Sequence, residues 1–235
     1  MSDCIEFIPN NSQGLPPPQL MVLLHGVGAD AASMIPTARA LQREFPQAAL
    51  LIPEGFDDFD GGPQGRQWFS VSGVTEENRP QRVAAARERF VAWLRAAQQR
   101  LRATPAVTAL VGFSQGAILA LETAQAEDGL AGRVLAFGGR YAVLPDHAPR
   151  ETTLHLLHGA QDTVMPTRHA REALERLALL GGDATLDIAE GVGHELHPAL
   201  LDEAIHRLRT HIPHRTWQAA LGAVSSAQRG GDGEH

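Results

Sequence analysis

Serine is a weak nucleophile near neutral pH, because its hydroxyl does not ionise there. It needs a base within hydrogen-bond reach and a carboxylate to orient that base. One stretch of this chain sets a serine up for such work: Gly112-Phe113-Ser114-Gln115-Gly116, a G-x-S-x-G sequence. A serine on a sharp strand-to-helix turn is held in a strained conformation that lifts its hydroxyl clear of the sheet. Gly112 and Gly116 remove side chains where strand and helix pass close together. The N–H of Gln115 falls at the helix start, where partial positive charge suits a developing oxyanion. In a chain with 23 glycines the pattern alone is weak. Its context strengthens it. Val107, Leu110 and Val111 precede it as a buried strand, and Ile118, Leu119 and Leu121 follow as a helix.

Eleven histidines compete for the role of base. His25 sits in a His-Gly turn and reads as structural. His155 lies within a predicted strand, and His158 before Gly159 reads as a turn residue. His169, His206, His211 and His214 fall on predicted helices or their ends and read as surface groups. His194 alone follows the last predicted strand, through the turn Gly191-Val192-Gly193, in the order Ser, acid, His that this kind of site uses. For the acid, Asp162 stands just past predicted strand 153–157. Asp146 and Asp183 lie nearer helix ends and read as turn or capping residues, and Glu190 is a weaker rival. A second oxyanion donor belongs in the loop His25-Gly26-Val27-Gly28, with the Val27 N–H preferred and Gly28 the alternative. His194-Glu195-Leu196-His197 resembles a zinc pattern, but the second histidine is needed one position later, where Pro198 stands. No metal is expected.

These residues need a scaffold that brings distant loops to one rim. The apolar runs 20–24, 48–52, 134–137, 153–157 and 184–188, with the strand before Ser114, predict buried strands. A short edge strand is expected near Ile5–Ile8. Helices are predicted over roughly 33–44, 80–102, 167–180 and 198–211. The second carries Val83, Ala86, Phe90, Leu94, Ala97 and Leu101 as one stripe. Alternation of strand and helix from about residue 20 to 212 means an α/β fold: a mostly parallel sheet with helices on both faces, with ligands at the C-terminal strand ends. A single domain is expected over 1–213. Trp217 and Leu221 follow in a short helix, and Ser225 to His235 is read as disordered.

The segment 54–79 is long and irregular, and a segment of that length in a compact domain is usually functional. It holds adjacent Trp68 and Phe69 in a chain only 5% aromatic. They are expected to wall an apolar acyl site, with plain core packing as the alternative.

The formal charge of −7 argues against a nucleic-acid partner. Apolar residues at 43% and charged residues at 20% describe an ordinary globular chain. Cys4 is the only cysteine, so no disulfide forms within the chain. The N-terminus lacks the basic flank and apolar run of a signal peptide, and no apolar run reaches membrane length. The expected location is the cytoplasm.

Five motifs together resemble a known family. They are Leu24-His25-Gly26-Val27-Gly28-Ala29-Asp30, Trp68-Phe69, Gly112 to Gly116, His158-Gly159 with Asp162-Thr163-Val164-Met165-Pro166, and Gly193-His194-Glu195-Leu196-His197-Pro198. Their types and order are similar to the phospholipase/carboxylesterase family, the bacterial esterase and acyl-protein thioesterase branch of the α/β-hydrolases. The resemblance implies cofactor-free hydrolysis of small or medium-chain carboxylic esters or of thioesters, with Ser114, Asp162 and His194 as the triad. It implies Val27 and Gln115 as oxyanion donors, and Trp68, Phe69, Val164 and Met165 near the acyl group. A homodimer is left open. Two departures stand out: Ala117 where the family often has Gly, and Ser70 where many members carry Asp.

Overall fold

The computed structural model describes residues 4–9 and 14–220. Its main sheet has seven strands: β1 (Cys4–Phe7), β2 (Leu20–Leu24), β3 (Ala49–Pro53), β6 (Thr108–Phe113), β7 (Arg133–Phe137), β8 (Thr153–Gly159) and β9 (Ala184–Ala189). The spatial order is β1-β3-β2-β6-β7-β8-β9. Only β1 runs antiparallel; the other pairings are parallel. A two-residue ribbon, β4 (Asp57–Asp58) with β5 (Arg66–Gln67), folds inside the long connection after β3. The α/β fold expected from the sequence is therefore the fold observed.

Alternate residues of each strand serve opposite faces, as the pleat dictates. Leu20, Val22 and Leu24 of β2 join one core with α2 (Arg79–Leu101), α3 (Gln115–Ala126) and α4 (Arg168–Leu179). Met21 and Leu23 join a second core with α1 (Ile35–Glu44) and α5 (Pro198–Thr210). Every residue of β2 and β8 is buried, as suits central parallel strands. Asp30 accepts the Ser33 N–H at 3.0 Å and caps a short 3-10 turn, Ala31–Met34, that leads into α1.

The sequence reading needs correction at several positions. Val107 lies in a 3-10 turn, Pro105–Val107, and β6 starts one residue later. His158 is inside β8 and buried, not in a turn, because β8 continues to Gly159 to meet β9. Asp183 is a buried acceptor, not a simple turn residue: its carboxylate takes the Thr153 hydroxyl at 2.7 Å, the His211 ring at 2.9 Å and the His214 N–H at 3.1 Å. His211 is accordingly half-buried at the sheet's lower edge, and its ring packs edge-on against His155. These bonds dock the start of helix 214–220, with Arg215 adding a contact to the Thr153 hydroxyl at 3.1 Å. Trp217 in that helix is exposed, while Leu221 and the expected disordered tail lie outside the described residues.

The tightest crossing is where α3 leaves the serine turn beneath β2. A Cβ at Gly116 would lie 2.3 Å from the Leu24 carbonyl oxygen. In an open helix Gly→Ala stabilises by roughly 0.5–1 kcal/mol. Here overpacking reverses the sign, and Gly116→Ala should destabilise by about 1–3 kcal/mol. A lowered urea midpoint tests this; an unchanged or raised midpoint would overturn the close approach.

Candidate active site

Ser114 stands between the last residue of β6 and the first of α3, at φ 53° and ψ −114°. A left-handed backbone at a non-glycine residue costs energy, and it survives only where the surroundings impose it. Two hydrogen bonds do so. The Ser114 N–H donates to the Phe137 carbonyl at 2.9 Å, carrying the β6–β7 ladder past the strand end. The Ser114 carbonyl accepts the Ile118 N–H at 3.0 Å and starts the helix. The outcome is a hydroxyl raised above the rim, half-buried, with Oγ 2.9 Å from His194 Nε2.

His194 Nδ1 lies 2.7 Å from Asp162 Oδ2. The carboxylate is fully buried, whereas the imidazole keeps 16% of its surface. A charged acid buried this deeply needs donors on its other oxygen. Oδ1 has them: the Val164 N–H at 3.0 Å and the Met165 N–H at 2.7 Å. The loops carrying Asp162 and His194 are stitched together as well. Ala160 N–H donates to the Ala189 carbonyl and Gln161 N–H to the Val192 carbonyl, each at 2.9 Å. Gly159 allows this contact, since a Cβ there would meet the Gly193 oxygen at 2.3 Å.

The two expected oxyanion donors differ from their neighbours in one respect. The Gly28 N–H is already donated to the Arg66 carbonyl at 2.8 Å. Among the described residues, no acceptor is engaged by the N–H of Val27 or of Gln115. Gln115 opens α3, so its amide has no partner within the helix. This geometry favours Val27 over Gly28 as the available amide.

For Trp68 the structure fits the alternative reading, core packing. Trp68 is 0% exposed, packed on Phe56 and Phe90, with its indole N–H donated to the His25 carbonyl at 2.9 Å. Phe69 is 5% exposed. Trp68 therefore belongs to the core and offers no face to an acyl chain; the segment folds inward because its backbone is captured by the Gln115 side chain. Val164, 67% exposed, and half-buried Met165 sit on the Asp162 loop. Ser70 bonds its hydroxyl to Asp60 and receives Arg82 at its carbonyl, so it is part of the loop's internal bracing.

Two neighbours of the row escaped the sequence reading. A Cβ at Gly138, which has φ 54°, would lie 3.2 Å from the His194 ring and 3.4 Å from Asp162 Oδ2. The Gly138-Gly139 pair after β7 was the signal available for it. The other is His158, buried, with Nε2 facing both the Met165 carbonyl at 2.5 Å and Asp162 Oδ2 at 3.4 Å. Nothing in its sequence setting points to that contact. Among the described residues, no group of three or more His, Cys, Asp or Glu side chains is arranged to hold a metal ion.

A serine, an imidazole and a carboxylate in one row beside two unengaged amides are the parts of an acyl-transfer site. Comparison with known proteins supplies the family. A family model described as phospholipase/carboxylesterase matches residues 8–212. The chain belongs to that family. It is similar to esterase YpfH of Escherichia coli (strain K12), 45% identical over 206 residues, which is 88% of each chain. It is also 30% identical over 112 residues to acyl-protein thioesterase 1 of Gibberella zeae, 44% of this chain and 48% of that one. The crystal structure of esterase PE8 superposes with a TM-score of 0.79 at 29% identity, over 88% of this chain and 98% of the other. As a member of the phospholipase/carboxylesterase family, the chain is a carboxylic ester hydrolase. Among the described residues no helix is long and apolar enough to cross a membrane.

Three buried histidines around this architecture resist protonation. Burial lowers the pKa values of His25 and His158, and lowers that of His155 to about 3 with help from the Arg133 charge. Two of them make bonds that require the neutral ring: His25 Nε2 accepts the Gly55 N–H at 2.9 Å, and His155 Nε2 faces the Arg133 guanidinium at 3.2 Å. The unfolded chain binds these protons from about pH 6.5 downward, while the folded chain does not. Stability is therefore full above that pH and falls as the pH drops through it, by up to about 1.4 kcal/mol per pH unit for each such histidine. Urea unfolding at pH 7 and pH 5.5 should show a lower midpoint at the lower pH. Equal midpoints would contradict the neutral burial.

Proposed function

We propose that this esterase works through an acyl-enzyme, with Ser114 as nucleophile, His194 as general base and acid, and Asp162 as the orienting carboxylate. The observation that carries the proposal is the unbroken row Ser114 Oγ, His194 Nε2, His194 Nδ1, Asp162 Oδ2, joined at 2.9 Å and 2.7 Å. Ser114 Oγ attacks the ester carbonyl carbon as its proton passes to His194 Nε2. The carbonyl oxygen takes up negative charge and is received by the N–H groups of Val27 and Gln115; losing one such donor typically costs roughly 3–4 kcal/mol of barrier. Collapse expels the alcohol, which takes the proton from His194 Nε2. Water then attacks the acyl-enzyme by the same route, releasing the acid and restoring the Ser114 hydroxyl. Asp162 accepts Nδ1–H throughout, keeping Nε2 as the bare nitrogen in the resting ring and offsetting the positive charge when it forms. Phe69, Val164 and Met165 are the side chains we assign to the acyl group's surroundings. All reacting groups come from one chain, so the chemistry needs no second copy.

A thioester is the second reading, favoured by the similarity to acyl-protein thioesterase 1. The same row serves either leaving group, so small or medium-chain esters remain the first choice. Rates on matched esters and thioesters of equal chain length decide between them.

Ser114→Ala should lower p-nitrophenyl ester hydrolysis by several orders of magnitude and abolish labelling by a fluorophosphonate. Near-native turnover by that variant would sink the proposal.

A further inference from the structure

The two oxyanion amides lie on separate turns. Val27 follows β2 and Gln115 follows β6, and the two strands are paired with Leu24 opposite Gly112. The Val27 turn is flanked by Gly26 and Gly28, so it has few side chains of its own to pack it in place. Its shape is held from outside. The Trp68 indole N–H donates to the His25 carbonyl at 2.9 Å. Gly28 N–H donates to the Arg66 carbonyl at 2.8 Å, and Arg66 N–H to the Ala29 carbonyl at 2.7 Å. The same short segment also grips the other donor's residue. The Gln115 side chain, 3% exposed, accepts the Trp68 N–H at 2.8 Å through Oε1 and donates to the Phe69 carbonyl at 2.6 Å through Nε2.

Five hydrogen bonds thus run from Arg66–Phe69 to both turns, all between groups distant in sequence. Glycines clear the way: a Cβ at Gly65 would strike the Gly28 carbonyl oxygen at 2.1 Å, and one at Gly55 would strike the Gln67 backbone at 2.9 Å. We infer that Arg66–Phe69 is a splint that sets the spacing of the Val27 and Gln115 amides, with the Trp68 indole and the Gln115 side chain as positioning groups. Neither side chain touches the reacting atoms. The inference rests on the oxyanion roles proposed above. Its logic is that an amide pair stabilises charge only when both hydrogens converge on one point. Misplacement by about 1 Å can cost roughly a hundredfold in rate.

Trp68→Phe keeps an aromatic ring in the core and removes the N–H to His25. Gln115→Met keeps the chain length and the backbone amide and removes both side-chain bonds. For each, active sites are counted by fluorophosphonate titration, and kcat, KM and the affinity for a trifluoromethyl ketone are measured. That ketone forms a tetrahedral adduct whose oxyanion reads the amide pair. Per titrated site, kcat should fall about 10- to 100-fold with KM near its original value. Ketone affinity should fall in the same proportion as kcat/KM. Variants that lose thermal stability or titratable sites, yet keep wild-type kcat and ketone affinity per site, would show a merely structural segment and overturn the splint. Ser114→Ala separates the two readings. If it stays active, the site assignment fails. If it is inactive while both splint variants are unimpaired, only the splint fails.

Discussion

Ser114 sits at a left-handed backbone position that its side chain disfavours, at a cost on the order of 1–3 kcal/mol. The surrounding sheet supplies the restraint. Its amide is fixed to the end of β7, its carbonyl begins α3, and α3 passes so close beneath β2 that only glycine fits at 116. Once that turn is made, the rest of the site has its coordinates. The Gln115 amide stands at the helix start, the Phe113 ring lies 5.0 Å from the imidazole, and the residue after β7 is Gly138, which leaves the imidazole room. The parallel sheet thus ends several strands at one rim and holds the strained turn at Ser114.

The carboxylate side follows a complementary rule. Asp162 is buried on the edge of β8 and would be costly there without donors. It gains two from its own loop and one from His194, and the loop is in turn tied to the chain after β9. Binding and orientation are therefore the same bonds seen from two ends. The bond that points Nδ1 of His194 inward also helps solvate the acid.

Much of this was legible in the sequence because it rests on local patterns. Buried parallel strands announce themselves as apolar runs, α2 as a repeat of three and four, and the serine turn as glycines at fixed offsets. Asp162 and His194 stand out in the sequence because each follows a strand, and the structure brings the two within 2.7 Å. Trp68 is turned into the core for a physical reason that no motif carries. An aromatic in an irregular segment looks available, and only the capture of its backbone by Gln115, forty-seven positions on, turns it inward. His158 and Asp183 were misread in the same way, since a side-chain bond across the fold leaves no trace in spacing. The amide engagement that favours Val27 over Gly28 also depends on Arg66, beyond any motif that contains either residue.

Ala117, on the first turn of α3, faces Gly139 in the chain after β7. A Cβ at Gly139 would lie 2.4 Å from the Ala117 methyl, with every other atom 3.4 Å away or further. One methyl's worth of space is shared between the two positions, and this chain has put it on α3. Side-chain bulk at 117 and at 139 is therefore one shared allowance, not two independent choices.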